Sequence, residues 1–475
     1  MNVIARPDSS PLVTIRLVWR TGAVQDPPGK GGAAWMTAMM LASGGSRELS
    51  FKQILDLFFP MGVSVACQID KEMIAFSAEV HRDHFMPFYD VFRGMLLDPG
   101  WREDDFERLI DDAVNFLEVG LRGQNDEELA KEVLYQEIFS GHPYRRHNAG
   151  SVESLRRLCI GDLRQFYSEQ FTGESLTVGI AGGFPPGFDK LLLSDFRTLP
   201  QRVAPTQAVP PVRDLAENEL ILVEKPARGV AISLGFPISV RRGHPDFPAL
   251  MLAASALGQH RMSSGRLFTR MRQLRGLNYG DYAYLEYFPG GMFTLEPAQN
   301  MARQCEIFQL WIRPVEREQA HFALRLALHE LERLVLDGLS TEEFERTRSF
   351  LSKYVNLLLR TKVDELGYAI DSAYYGIPPY PEYVRAGMSA LTLESVNAAI
   401  RRHLRSDRLA IVMVGEGLAE LREDILANRP SPMTYNSPKP DEILEEDMLV
   451  QRREIPMRVA CAKLLPASEV FALEP

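Results

Sequence analysis

Apolar residues along the chain fall into two kinds of pattern. Short continuous or β-branched runs, bounded by glycine or polar residues, predict strands at Leu12–Trp19, at 73–80, at 176–183 and at 409–415. Between them apolar residues recur at helical spacing. In 102–121, Phe106, Leu109, Ile110, Ala113, Phe116, Leu117 and Leu121 trace one stripe of a helix. Two Ala/Met/Leu-rich segments, 33–43 and 248–258, each follow a strand and a polar loop and predict buried helices. The order strand, helix, helix, strand, long helices, strand occurs twice. It predicts an α+β fold, with a largely antiparallel sheet covered by helices on one face in each half.

The two halves are also similar in sequence. Asp104-Asp105 precede Phe106-Glu107-Arg108, and Glu342-Glu343 precede Phe344-Glu345-Arg346, an offset of 238 (344 against 106). The strand opening at Leu176 matches the one opening at Leu409, an offset of 233. Val13-Thr-Ile-Arg-Leu17 matches Val230-Ala-Ile-Ser-Leu234, an offset of 217. An internal duplication explains the series. Between the halves, Pro200 to Pro211 is rich in Pro, Val, Ala and Gln and reads as an extended linker. The expected organisation is a first domain over 1–198, a linker over 199–216, a homologous domain over 217–428, and a proline-opened strap over 429–475 packed on the body.

Composition narrows the function. The chain has 475 residues, 45% hydrophobic and 24% charged, with a net charge of −10. That balance is ordinary for a globular protein and weighs against sequence-independent nucleic-acid binding, which neutralises phosphates with Lys and Arg. Cys67, Cys159, Cys305 and Cys461 stand singly, without a CxxC pair or disulfide framework. No apolar run reaches membrane-spanning length, and residues 1–10 lack the apolar core of a signal peptide. As given, the sequence reads as cytoplasmic; an incomplete N-terminus would leave a periplasmic or organellar location open.

Gly22-Ala-Val-Gln-Asp26-Pro-Pro-Gly29-Lys-Gly-Gly32, the helix after it, Gly44-Gly45-Ser46, His142-Pro143-Tyr144, Gly150 and the strand at 176–183 together resemble the pitrilysin/insulysin (inverted-zincin) metallopeptidase family. The resemblance spans nearly the whole chain, duplication included. Active members carry H-x-x-E-H on the first helix, two zinc-binding histidines with a glutamate that activates water. Laid on this sequence, those positions are Trp35, Ala38 and Met39. The resemblance places the third ligand near Val114 or Asn115, with Glu118 close by. It therefore implies a chain that binds no metal of its own. His81 with His84, and His142 with His147, are the other paired histidines. Neither pair has a recognisable complement of Cys, Asp or Glu, so both read as surface or turn histidines.

In the second half, Ser263-Ser-Gly-Arg-Leu-Phe-Thr-Arg-Met-Arg272 leads through Gln-Leu-Arg-Gly-Leu-Asn to Tyr279. A serine N-cap, an apolar face at Leu267, Phe268, Met271 and Leu274, and a stop at Gly276 predict a short helix. An aromatic strand from Tyr279 to Phe288 is expected next, with Arg270 and Arg275 as surface charges. The family carries an Arg and a Tyr seven residues apart in this segment, and Arg272 and Tyr279 match them. The resemblance implies that this pair holds the substrate backbone and polarises the scissile carbonyl from across a chamber.

The family works as a clamshell of paired shells, every shell built from a tandem repeat of domains, and this chain has the length of a single shell. The resemblance thus implies a non-catalytic subunit of a heterodimer. Arg272 and Tyr279 would serve peptide substrates at the active site of a homologous partner, which would hold the zinc. The alternative is an assembly or peptide-binding protein of the same fold with no peptidase role. The loop Gly258-Gln-His-Arg-Met-Ser263 is too short and glycine-poor to resemble the glycine-loop regulatory subunit of the mitochondrial processing peptidase.

Overall fold

The computed structural model describes residues 1–291 and 296–474. In the first half the strands are β1 (Asn2–Pro7), β2 (Leu12–Trp19), β3 (Ala66–Ile69), β4 (Ile74–His81) and β5 (Leu176–Gly182), arranged β1-β5-β2-β4-β3. In the second they are β6 (Glu219–Glu224), β7 (Val230–Ile238), β8 (Asp281–Tyr284), β9 (Glu306–Val315) and β10 (Ala410–Gly415), arranged β6-β10-β7-β9-β8. The two orders are the same, as duplication requires. The strap adds β11 (Ala462–Pro466) alongside β6. In each half the first strand pairs in parallel with the last, β1 with β5 and β6 with β10, and the remaining neighbours are antiparallel. Residues 2–7 supply an edge strand of the first sheet. β1, β3, β6, β9 and β11 are strands that the sequence pattern did not single out.

Period-two alternation explains how the sheets are covered. On β2, Val13, Ile15, Leu17 and Trp19 point into the core of the first half. Val18, on the opposite face, packs with Met73, Ala75 and Ile370, so all but the first residue of the strand are buried. Ile370 belongs to the helix Lys362–Tyr375 of the second half, which lies against β1, β2 and β5. Reciprocally, the helix Asp126–Ile138 of the first half lies on β7, β9 and β10. Each half therefore covers one sheet face with its own helices and receives one helix from the other half on the opposite face. The exchanged helices are related by the duplication and start in the same way. Asn125 accepts the N–H of Glu128, and Thr361 accepts the N–H of Asp364.

The junction between the halves is polar and closely paired at its centre. The buried Arg303 guanidinium bonds Asp70 (2.9 and 2.5 Å) and lies 3.5 Å from the centre of the Tyr287 ring. Burial pushes the Asp70 carboxyl upward, but Arg303, Lys71 and Asn148 outweigh it and hold it below its ordinary range. Arg16 on β2 reaches Asn300 Oδ1 (2.5 Å), and Asn300 in turn donates to Asp371. Lys131 is buried between Glu128 (2.7 Å), the Phe288 carbonyl (2.8 Å) and the face of Trp311.

Candidate functional site

The helix Ala33–Ser43 starts at Gly32 in the left-handed region (φ 90°), where a Cβ would come within 2.6 Å of the Ala149 carbonyl. Asp26 caps it. Its carboxyl accepts the N–H groups of Gly32 and Ala34, both at 2.7 Å. Burial pushes that carboxyl up to about 7, against the pull of these two bonds and of Arg146 and Lys71. Ala38 is buried, whereas Trp35 and Met39, one turn apart on the same side, are half-buried.

Opposite them runs the helix Glu103–Asn115, continued by a π-helical stretch, Phe116–Leu121. Phe116 faces Trp35. The two rings stack at 6.1 Å with planes 13° apart, and Phe116 is 40% exposed. Asn115 is exposed, and Glu118 leans on Arg122 at 3.8 Å. An indole, a methyl group and a thioether stand where the family resemblance puts two imidazoles and a carboxylate, and a phenyl ring covers the indole. This donor set does not fit Zn²⁺.

The other histidines are otherwise engaged. His81 and His84 sit 6.5 Å apart at a turn, and His81 Nδ1 accepts the N–H of Asp83. His142 and His147 are buried, not on the surface. His142 donates from Nε2 to the Pro210 carbonyl (2.9 Å) and accepts the Tyr144 N–H. His147 accepts the Ala149 N–H at 3.0 Å, and burial, then Lys71, pushes it down to about 3. Among the described residues two groups bring three ligand-type side chains together: His244 with Asp246 and His403, and His329 with Glu330 and Glu446. Neither lies on the Trp35 helix or its facing helix. Arginines occupy the carboxylates in both, Arg402 on Asp246 (2.6 Å) and Arg270 on Glu330 (2.8 Å).

The Arg272 segment is held by its other arginines. The helix starts at Arg266, with the Gly265 carbonyl accepting the Thr269 N–H, and Arg266 forks onto Glu343. Arg270 pairs with Glu330. Arg275 is fully buried and bonds Asp447 (2.8 Å) and Glu446 (2.6 Å), so Arg270 and Arg275 are anchors rather than surface charges. Gly276, at φ 71°, ends the helix, with its N–H on the Arg272 carbonyl. Arg272 is exposed and has no carboxylate partner among the described residues. It donates to the Tyr279 carbonyl (3.0 Å) and lies 4.9 Å from the centre of the Phe268 ring and 5.6 Å from that of Tyr279. Tyr279 is 75% exposed. The structure thus brings the two together. The strand after them is only Asp281–Tyr284, because Glu286 is drawn to Arg242 (2.8 Å) and Tyr287 enters the junction between the halves.

Duplicated sheets and a glycine-entered first helix set against a second long helix define a peptidase-type scaffold. The chain belongs to peptidase family M16. Residues 2–151 match the family described as Insulinase (Peptidase family M16), and residues 158–351 match the Peptidase M16 inactive domain. A protein of Mycobacterium tuberculosis named an uncharacterized zinc protease is 25% identical over 361 residues, 72% of this chain and 76% of that protein. A Helicobacter pylori protein named a non-peptidase homolog is 20% identical over 408 residues, 85% of this chain and 89% of that protein. The crystal structure of a peptidase M16 inactive domain from Pseudomonas fluorescens superimposes with a TM-score of 0.75 at 21% identity, over 87% of this chain and 95% of that one. A chain of complex III from Candida albicans shares the fold with a TM-score of 0.68 at 14% identity, over 87% and 93%. No helix among the described residues is long and apolar enough to cross a membrane.

Proposed function

We propose that this chain is a non-catalytic M16 subunit that contributes Arg272 and Tyr279 to the active site of a homologous, zinc-bearing partner. The observation that carries the reading is the exposed, uncompensated Arg272 beside Tyr279, on a helix whose neighbouring arginines are all tied to carboxylates. A guanidinium and a phenol at that position are donors suited to a carbonyl oxygen that gains charge as a peptide bond is attacked. The partner supplies the zinc and the water-activating glutamate. This chain encloses the peptide and binds no zinc. The Helicobacter relative's name, a non-peptidase homolog, accords with this division of labour.

The test is co-expression with the M16 chain of the same organism that carries H-x-x-E-H, followed by hydrolysis of a quenched fluorescent peptide library. The expected result is cleavage by the pair and by neither chain alone. Arg272→Ala or Tyr279→Phe lowers kcat by about 10²–10³, the cost of one oxyanion donor, with unchanged melting temperature and unchanged pairing. Full activity in both variants would instead favour a pure assembly role, in keeping with the fold's occurrence in a chain of complex III.

A further inference from the structure

The chain's C-terminal segment contacts both halves, in two different ways. Ala462–Pro466 is an ordinary sheet strand beside β6. After the turn Ala467–Glu469 the chain crosses to the first half, and there its described residues make no strand pairing. Instead the first half grips it group by group. The Val470 carbonyl accepts from the buried Arg122 guanidinium (2.5 Å), and the carbonyls of Phe471 and Ala472 accept the N–H groups of Val152 and Glu153, both at 3.0 Å. The Phe471 ring is buried against His147 at 5.1 Å. The Glu474 carboxylate meets Arg146 at 3.3 Å, and its N–H donates to Glu153. Between these, Leu473 points to solvent, 69% exposed.

This is how a protein holds a bound peptide: main-chain carbonyls are satisfied without regard to sequence, one pocket takes an aromatic side chain, and a cation reads an acid three residues on. We propose that residues 122–153 of the first half form a peptide-binding site, occupied in cis by Val470–Glu474, which opens and closes while the rest of the molecule stays folded. The ligand class is a short turn-forming segment of apolar, aromatic, small, variable and acidic residues in that order. Two features make the segment releasable. All its anchors lie beyond the hinge at 467–469, and Phe471 is held at φ 53°, a left-handed conformation that a phenylalanine keeps only while its surroundings enforce it. The site also connects to the replaced metal centre. His147 touches Phe471 on one side and Phe116 on the other (5.9 Å), and Phe116 stacks on Trp35. None of these contacts depends on the role assigned to Arg272 and Tyr279.

Hydrogen exchange on the full chain tests it, read at the amides of Val152 and Glu153 and at those of β5 as the core reference. In the wild type the two amides should exchange by an opening that leaves β5 protected. In Phe471→Ala they should exchange at least about ten-fold faster, the loss expected for an emptied aromatic pocket, with β5 unchanged. The free peptide Ala-Ser-Glu-Val-Phe-Ala-Leu-Glu, the sequence of 467–474, should restore protection to this variant, while the same peptide with Ala for Phe should not. Exchange of Val152 and Glu153 only together with β5 would overturn the proposal, as would a folded Phe471→Ala chain that the peptide leaves unprotected. Should Phe471→Ala not fold, Glu474→Gln, which loosens the ion pair with Arg146, gives the same reading with a smaller acceleration.

Discussion

Arg303 and His147 show how single buried side chains set the stability of this molecule. Arg303 joins the halves through a doubly bonded pair with Asp70, both residues out of reach of water. Removing one partner strands the other as a buried charge, so Arg303→Met should cost about 3–5 kcal/mol in urea unfolding. Replacing both residues with apolar ones should cost much less. His147 is buried neutral and held at about 3. Above the ordinary histidine range, near 6.5, neither the folded nor the unfolded chain protonates this residue, and its contribution is intact. As pH falls from 6.5 toward 3, only the unfolded chain takes the proton, and stability is lost. Between pH 7 and pH 5 the wild type should lose about 2 kcal/mol more than His147→Gln; equal losses would mean His147 titrates freely. Residues of these two kinds differ from Arg272 and Tyr279 in how they can be read. That pair is legible as a motif because it is local, its members seven residues apart and flanked by their own helix and stop. Arg275 in the same motif is not, since its carboxylates lie 171 and 172 residues away. The stacking of Phe116 on Trp35 is likewise not legible, because it joins two helices far apart in the sequence.

At the scale of elements, the most consequential arrangement is the exchange of Asp126–Ile138 and Lys362–Tyr375 between the halves. Strand runs and the first helices are legible because burial on a sheet or within a core imposes a period that the sequence carries openly. The exchange is not legible. A helical stripe states that a face is covered, not by which half. Closeness at that contact depends on Gly179 of β5, where a Cβ would lie 3.2 Å from Leu366 on the visiting helix. Gly179→Val should therefore overpack the contact and destabilise the chain by about 1–3 kcal/mol, measured by urea unfolding. Leu366→Ala in the same chain should recover some of the loss. No recovery would place the strain elsewhere.

For the whole molecule, the exchange and the Arg303 junction make the two halves one unit with a shared interior. The chain presents two unlike surfaces: a first-half face of tryptophan, methionine and phenylalanine, and a second-half helix that offers Arg272 and Tyr279 outward. In the proposed division of labour neither completes a hydrolytic site by itself. Zinc content of the purified chain, measured by elemental mass spectrometry after mild chelation and zinc re-addition, probes that division without any knowledge of the partner or the substrate. A chain with a replaced metal centre retains no zinc above the buffer blank. One zinc retained per chain would contradict the replacement and would return His81, His84, His142 and His147 to consideration as ligands.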